Sequence, residues 1–151
     1  MLKRMDHFAL TVTNLERSLE FYCQLLGLKQ ILRKLWNEEY IARMVGFEGA
    51  SLDIAFIELP GDPPGVLEMI EYQEPRSAAA SAALYNAPGS AHLCFQVDDI
   101  QSVYERLHAA DIEFVSPPVA VPVGPNKGAQ TLYFFDPDRI VIQLMQPKPE
   151  N

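Results

Sequence analysis

The chain has 151 residues, with 12 basic and 20 acidic side chains and a net charge of −8. That length suits one domain, able to bury roughly 70% of the surface an unfolded chain exposes. The acidic balance, without any Lys/Arg cluster, argues against nucleic acid and anionic membranes as partners, and no apolar run reaches spanning length.

In chain order, the first element predicted is a strand over His7–Val12, where Phe8, Leu10 and Val12 alternate with His7, Ala9 and Thr11. The start, Met1 to Asp6, runs straight into this strand with no leader pattern, so the expected location is the cytoplasm. Asn14 is a good cap for a helix over Leu15–Leu26, with Leu15, Leu19, Tyr22 and Leu26 on one face and Gly27 just past its end. Strands are expected over Leu28–Leu35, Leu52–Leu59 and Val66–Tyr72, the last two joined by the turn-rich Pro60–Gly65. Residues 73–90, punctuated by Pro and Gly, read as a linker. A strand over 92–97, a cap at Asp98/Asp99 and a helix over Ile100–Ala110 follow. Strands are then expected over Ile112–Val115, Gln130–Phe135 and Ile140–Gln146. The Pro/Gly-rich Ser116–Gly128 reads as a loop able to act as a flap.

The chain repeats itself. His7-Phe-Ala-Leu-Thr-Val and His92-Leu-Cys-Phe-Gln-Val are 85 residues apart, and so are the caps Asn14 and Asp99. The expected organisation is one domain over 1–151, with module one at about 5–72 and module two at about 91–147, each ordered βαβββ. Strand parity selects the inward polar residues. If Leu67 and Met69 face the core, then Glu68 and Ile70 face away; Ile142 and Leu144 likewise leave Gln143 and Met145 on the opposite face. His7, Glu68, His92 and Gln143 can thus line one concave sheet face. Singly, each has a plainer reading as a half-exposed strand residue, and Glu71 reads as an exposed one. Two histidines at equivalent repeat positions plus a carboxylate, all of one parity, point to a divalent metal such as Fe²⁺, Mn²⁺, Ni²⁺, Co²⁺ or Zn²⁺. His108 reads as a solvated surface residue, and Cys23 and Cys94, with no motif spacing, as reduced apolar fillers.

Five segments together resemble the vicinal oxygen chelate superfamily, which includes glyoxalase I, extradiol dioxygenases and bleomycin and fosfomycin resistance proteins. They are His7–Val12, Leu19-Glu-Phe-Tyr-Cys-Gln-Leu-Leu-Gly27, Val66–Tyr72, Ala91–Val97 and Phe134-Phe-Asp-Pro-Asp138. The resemblance implies an α+β fold in which two βαβββ modules form a cupped mixed sheet with flanking helices around a metal. Carried over by position, the ligands are His7, Glu68, His92 and Gln143.

Two departures stand out. Arg139 follows the Asp-Pro-Asp turn where many members have glycine. Gln143 stands where glyoxalase-like members carry a glutamate, and an amide cannot accept a proton from carbon. The remaining two-histidine, one-carboxylate set suits Fe²⁺ and O₂ chemistry, so the preferred expectation is an Fe(II)-type oxygenase for a small aromatic or vicinal-oxygen substrate. Tyr133 would orient substrate, and Phe56, Ile70, Cys94, Phe135 and Met145 would line the cup, with Trp36 and Tyr40 available from a loop. The alternative is a glyoxalase-like lyase or epimerase with Glu68 as base, and a third reading is a non-catalytic drug-binding protein. Exposed sheet edges suggest a homodimer.

Overall fold

The computed structural model describes residues 1–77 and 85–149, so the alanine-rich part of the expected linker at 78–84 lies outside the described residues. The chain forms two compact units, Met1–Ser81 and Ala82–Asn151. In the first, β1 (Phe8–Thr11) leads into α1 (Leu15–Leu19), which continues as a π-helical segment over Glu20–Leu25. Then come β2 (Lys29–Trp36), α2 (Glu39–Val45), β3 (Ser51–Leu59) and β4 (Gly65–Glu74). The second unit has β5 (His92–Gln96), α3 (Ile100–Ala109), β6 (Val119–Ala120), β7 (Gln130–Phe135) and β8 (Val141–Gln146). Each unit holds one four-stranded mixed sheet, in the orders β1-β4-β3-β2 and β5-β8-β7-β6. The four polar residues expected on one sheet are thus divided between two.

The first and last strands of each unit pair in parallel, and the two registers match. Phe8 pairs Leu67 and Ala9 pairs Glu68; Leu93 pairs Ile142 and Cys94 pairs Gln143. One face of each sheet is dry: Ala55, Ile57, Leu67 and Met69 are fully buried in the first, and Ile142 and Phe134 in the second. Burying such apolar side chains is the main driving force available to each sheet. The helix caps repeat as well. Asn14 Oδ1 accepts from Arg17 N at 2.9 Å and Asp99 Oδ1 from Ser102 N at 3.0 Å. The last strands add a second cap. Glu71 Oε2 accepts from Leu15 N at 2.7 Å and Gln146 Oε1 from Ile100 N at 2.9 Å, satisfying amides that a helix leaves unpaired. Glu71 is therefore a capping residue with a 12% exposed side chain, and the solvent-facing reading is corrected.

Other expectations shift for identifiable reasons. The first helix is not regular to Leu26: Leu26 N bonds Phe21 O, an i→i+5 step, and both Phe21 and Tyr22 are buried with their rings 5.0 Å apart. The widened turn places two consecutive aromatics inside, which a 100° step per residue disfavours. Gly27, at φ 80°, follows as the expected left-handed terminator, with Leu28 N bonded to Tyr22 O. Residues 112–115 do not form the expected strand but touch β7 through one bridge, Phe114 to Phe134. The ladder instead resumes at β6, after Pro117 and Pro118, which carry no N–H to donate. The expected flap therefore contains a strand. No helix among the described residues is long and apolar enough to cross a membrane.

The turn between β7 and β8 is held by one buried carboxylate. Asp136, 4% exposed, accepts through Oδ1 from Asp138 N and Ile140 N, both at 2.8 Å. Arg139 takes φ 68°, a conformation costing a side-chain-bearing residue about 1 kcal/mol or more. Its guanidinium lies 4.0 Å over the Phe135 ring and pairs with Glu113, contacts that offset the strain. Asp136→Ala should lower unfolding stability by about 2–3 kcal/mol, because two part-buried backbone donors lose their acceptor. Urea denaturation with an unchanged midpoint would refute this.

Candidate functional site

In the first unit the site face is the side of the sheet opposite the α1-packed core. His7 lies one residue before β1 with a 40% exposed side chain, and Glu68 sits mid-β4 at 14%. Their alternation with Phe8, Leu67 and Met69 turns both away from the core, as parity requires. His7 Nε2 and Glu68 Oε2 are 3.0 Å apart, while His7 Nδ1 lies 3.2 Å from Asp6 Oδ2. The imidazole is thus held between two carboxylates, an arrangement that orients its ring. Asp6 was missed in the sequence because it precedes the strand and follows no alternation.

The same face carries an apolar wall. Phe56 pairs directly with Glu68, and Ile54 with Ile70. Helix α2, unforeseen, covers part of it: Ile41, Leu52 and Ile54 are buried together, with Trp36, Phe56, Ile70 and Tyr72 packed against them. The helix is two turns long with one buried residue, too short to show a helical period, although Gly46 at φ 77° marks its end. Tyr40, expected in a loop, sits on this helix at 52% exposure, whereas Trp36 joins the packed cluster.

The second unit repeats the geometry with different chemistry. His92, at the start of β5, is exposed, and its ring lies 5.5 Å from Tyr133. Tyr133 pairs directly with Gln143, the position Phe56 holds beside Glu68. Gln143 Nε2 donates to Thr131 Oγ1 at 2.9 Å, and Thr131 Oγ1 donates to Leu144 O at 2.8 Å. Met145 shares this face, half-buried. Phe135 departs from the expected lining: at 7% exposure it is covered by Arg139 and neighboured by Tyr85, so it supports the wall from within. His108 lies exposed on α3, its ring 5.6 Å from Tyr104.

Similarity to known proteins resolves the family. The model of the Glyoxalase/Bleomycin resistance protein/Dioxygenase superfamily matches residues 4–144. The chain belongs to this superfamily. A probable lactoylglutathione lyase of Vibrio cholerae serotype O1 is 31% identical over 147 residues, spanning 96% of this chain and 91% of that relative. The lactoylglutathione lyase of Neisseria meningitidis serogroup B is 31% identical over 148 residues, with the same 96% and 91% coverage. A glyoxalase family protein from Bacillus cereus superposes with a TM-score of 0.83 at 25% identity, over 99% of this chain and 97% of its own. The fosfomycin resistance protein FosX of Listeria monocytogenes shares the fold, with a TM-score of 0.63 at 18% identity, 98% of this chain and 96% of that one being covered.

Superfamily membership brings a divalent metal into question, and the donors can be tested for it. His7 Nε2 and Glu68 Oε2 stand at the 3.0 Å of an ordinary hydrogen bond, close enough for both to turn to one ion. Imidazole nitrogens with carboxylate and amide oxygens are also the donor types such ions take. Among the described residues no three His, Cys, Asp or Glu side chains converge, so within the first unit the pair stands alone. Cys94 shares the face of His92 and Gln143, but desolvation of its sulfur raises the thiol pKa, which disfavours a thiolate donor. Cys94 should therefore alkylate with iodoacetamide more slowly than free cysteine at neutral pH, its rate climbing beyond the ordinary thiol range. Labelling as fast as free cysteine would contradict this environment.

Proposed function

We propose that this superfamily member is a divalent-metal-dependent enzyme of the glyoxalase type, a lyase or isomerase acting on a small molecule with adjacent oxygens. The observation that carries this reading is the His7–Glu68 pair, a nitrogen and a carboxylate oxygen 3.0 Å apart beside the apolar wall of Phe56 and Ile70. The names of the relatives, lactoylglutathione lyases matched over most of their length, support the same class. The Fe(II)-oxygenase expectation rested on the two-histidine, one-carboxylate set alone. None of these relatives favours it, and the lyase alternative is the one they support.

The proposed donors are His7, Glu68 and His92, with Gln143 as a neutral fourth. A bound ion would polarise a substrate carbonyl and so acidify the neighbouring carbon. Glu68 is the only carboxylate of the set, so it takes that proton on a carboxylate oxygen and returns it to the adjacent carbon. Its low exposure keeps water from competing for the proton. Gln143 has no basic site near neutral pH and serves only as an oxygen donor. In this reading Tyr133, which pairs with Gln143 and lies beside His92, hydrogen-bonds a substrate oxygen. Phe56, Ile70 and Met145 supply apolar contact.

The test is turnover of the methylglyoxal–glutathione hemithioacetal by protein loaded with Ni²⁺, Co²⁺ or Zn²⁺. Glu68→Gln, which keeps an oxygen donor but removes the base, should lower kcat by about 10²–10⁴-fold. Native turnover no faster than that of Glu68→Gln with every metal would overturn the assignment. His7→Ala and His92→Ala should each abolish tight metal binding by calorimetry, since too few donors remain. Parental affinity in both would make the histidines structural.

A second copy of the chain is the proposed partner. β2 is an edge strand of its sheet, and Ile31, Leu32 and Leu35 on it are about half exposed. An apolar edge of this kind is stabilised by being covered. Light scattering at micromolar concentration should report a dimer; a monomeric mass would reject it.

A further inference from the structure

We propose that Thr131 is the positioning residue that determines which end of the Gln143 amide faces a divalent cation, making Gln143 an oxygen donor. The inference rests on the metal-dependent reading above and deepens it. A backbone carbonyl can only accept, so the Thr131 hydroxyl proton is committed to Leu144 O at 2.8 Å. The hydroxyl oxygen then has only lone pairs to offer, and the Gln143 group 2.9 Å away must be the donating NH₂. The carbonyl oxygen is the end not bonded to Thr131, on the face that Gln143 shares with Cys94 and His92. Without this anchor the two ends of an amide compete, and an inward NH₂ would repel a cation.

The first unit provides the internal control. Gln143 pairs Tyr133 and Met145 pairs Thr131; Glu68 pairs Phe56 and Ile70 pairs Ile54. Ile54 therefore occupies, beside Glu68, the position of Thr131 beside Gln143. A carboxylate has two equivalent oxygens and needs no orienting partner, whereas an amide does. The hydroxyl occurs only in the unit that carries the amide.

Thr131→Val keeps the β-branched shape and removes the hydroxyl; Thr131→Ser restores it. In the metal-free protein, the Gln143 side-chain amide protons should be shifted and slowed in exchange in the parent and in Thr131→Ser, and free-like in Thr131→Val. In Co²⁺ titrations read by calorimetry and visible absorption, Thr131→Val should weaken binding by about 10–100-fold and change the spectrum, with Thr131→Ser at parental values. If His92→Ala loses Co²⁺ while Thr131→Val binds it with parental affinity and spectrum, the positioning role is refuted and the metal reading survives. If the parent binds no Co²⁺, both fall together.

Discussion

The parallel pairing of the first strand of each unit with its last sets everything else. In both units that pairing sets alternate apolar residues against the core, Leu10 with Leu67 and Met69 in one, half-buried Leu93 and Phe95 with buried Ile142 and Leu144 in the other. A slip of one residue would turn every side chain to the wrong face. Because the slip is so costly, the residues between, His7 and Glu68 or His92 and Gln143, are held on the opposite face. Packing in the core thus orients polar groups that touch none of it.

The units differ where their chemistry differs. The last strand of the first unit carries Glu68 and Glu71, and the equivalent positions of the second carry Gln143 and Gln146. In the pair that caps helices the exchange is nearly neutral, since carboxylate and amide oxygens both accept from a backbone N–H. On the site face it is not neutral. One negative charge and one proton acceptor are gone, so in the proposed mechanism Glu68 is the base and Gln143 an oxygen ligand whose orientation has to be fixed.

Two local devices shape the surroundings. Helix α2 packs Ile41 onto the site face of the first sheet, so Phe56, Ile70 and Trp36 belong to a small core of their own. Arg139 shows the reverse case, a strained residue held by what it touches. Its positive φ is offset by a ring contact and an ion pair, and the same side chain closes over Phe135. Stiff walls of this sort hold polar groups in place better than a loop would.

The sequence by itself determined the repeat, the helix caps at Asn14 and Asp99, most strands to within a residue or two, and the parity of all four polar site residues. These follow from local rules: alternation, capping chemistry and the left-handed preference at Gly27. Tertiary structure alone decided the rest. Whether Glu71 met solvent or a helix amide depended on α1 docking above it. Residues 112–120 pair where proline permits, not where β-propensity is highest. Asp6 and Thr131 matter only because folding brings them to His7 and Gln143, and neither belongs to a sequence pattern. Phe135 has the parity of a lining residue, but contacts from Arg139 and Tyr85 enclose it. Periodicity records which way a side chain points; what it meets there is set by chain segments distant in sequence.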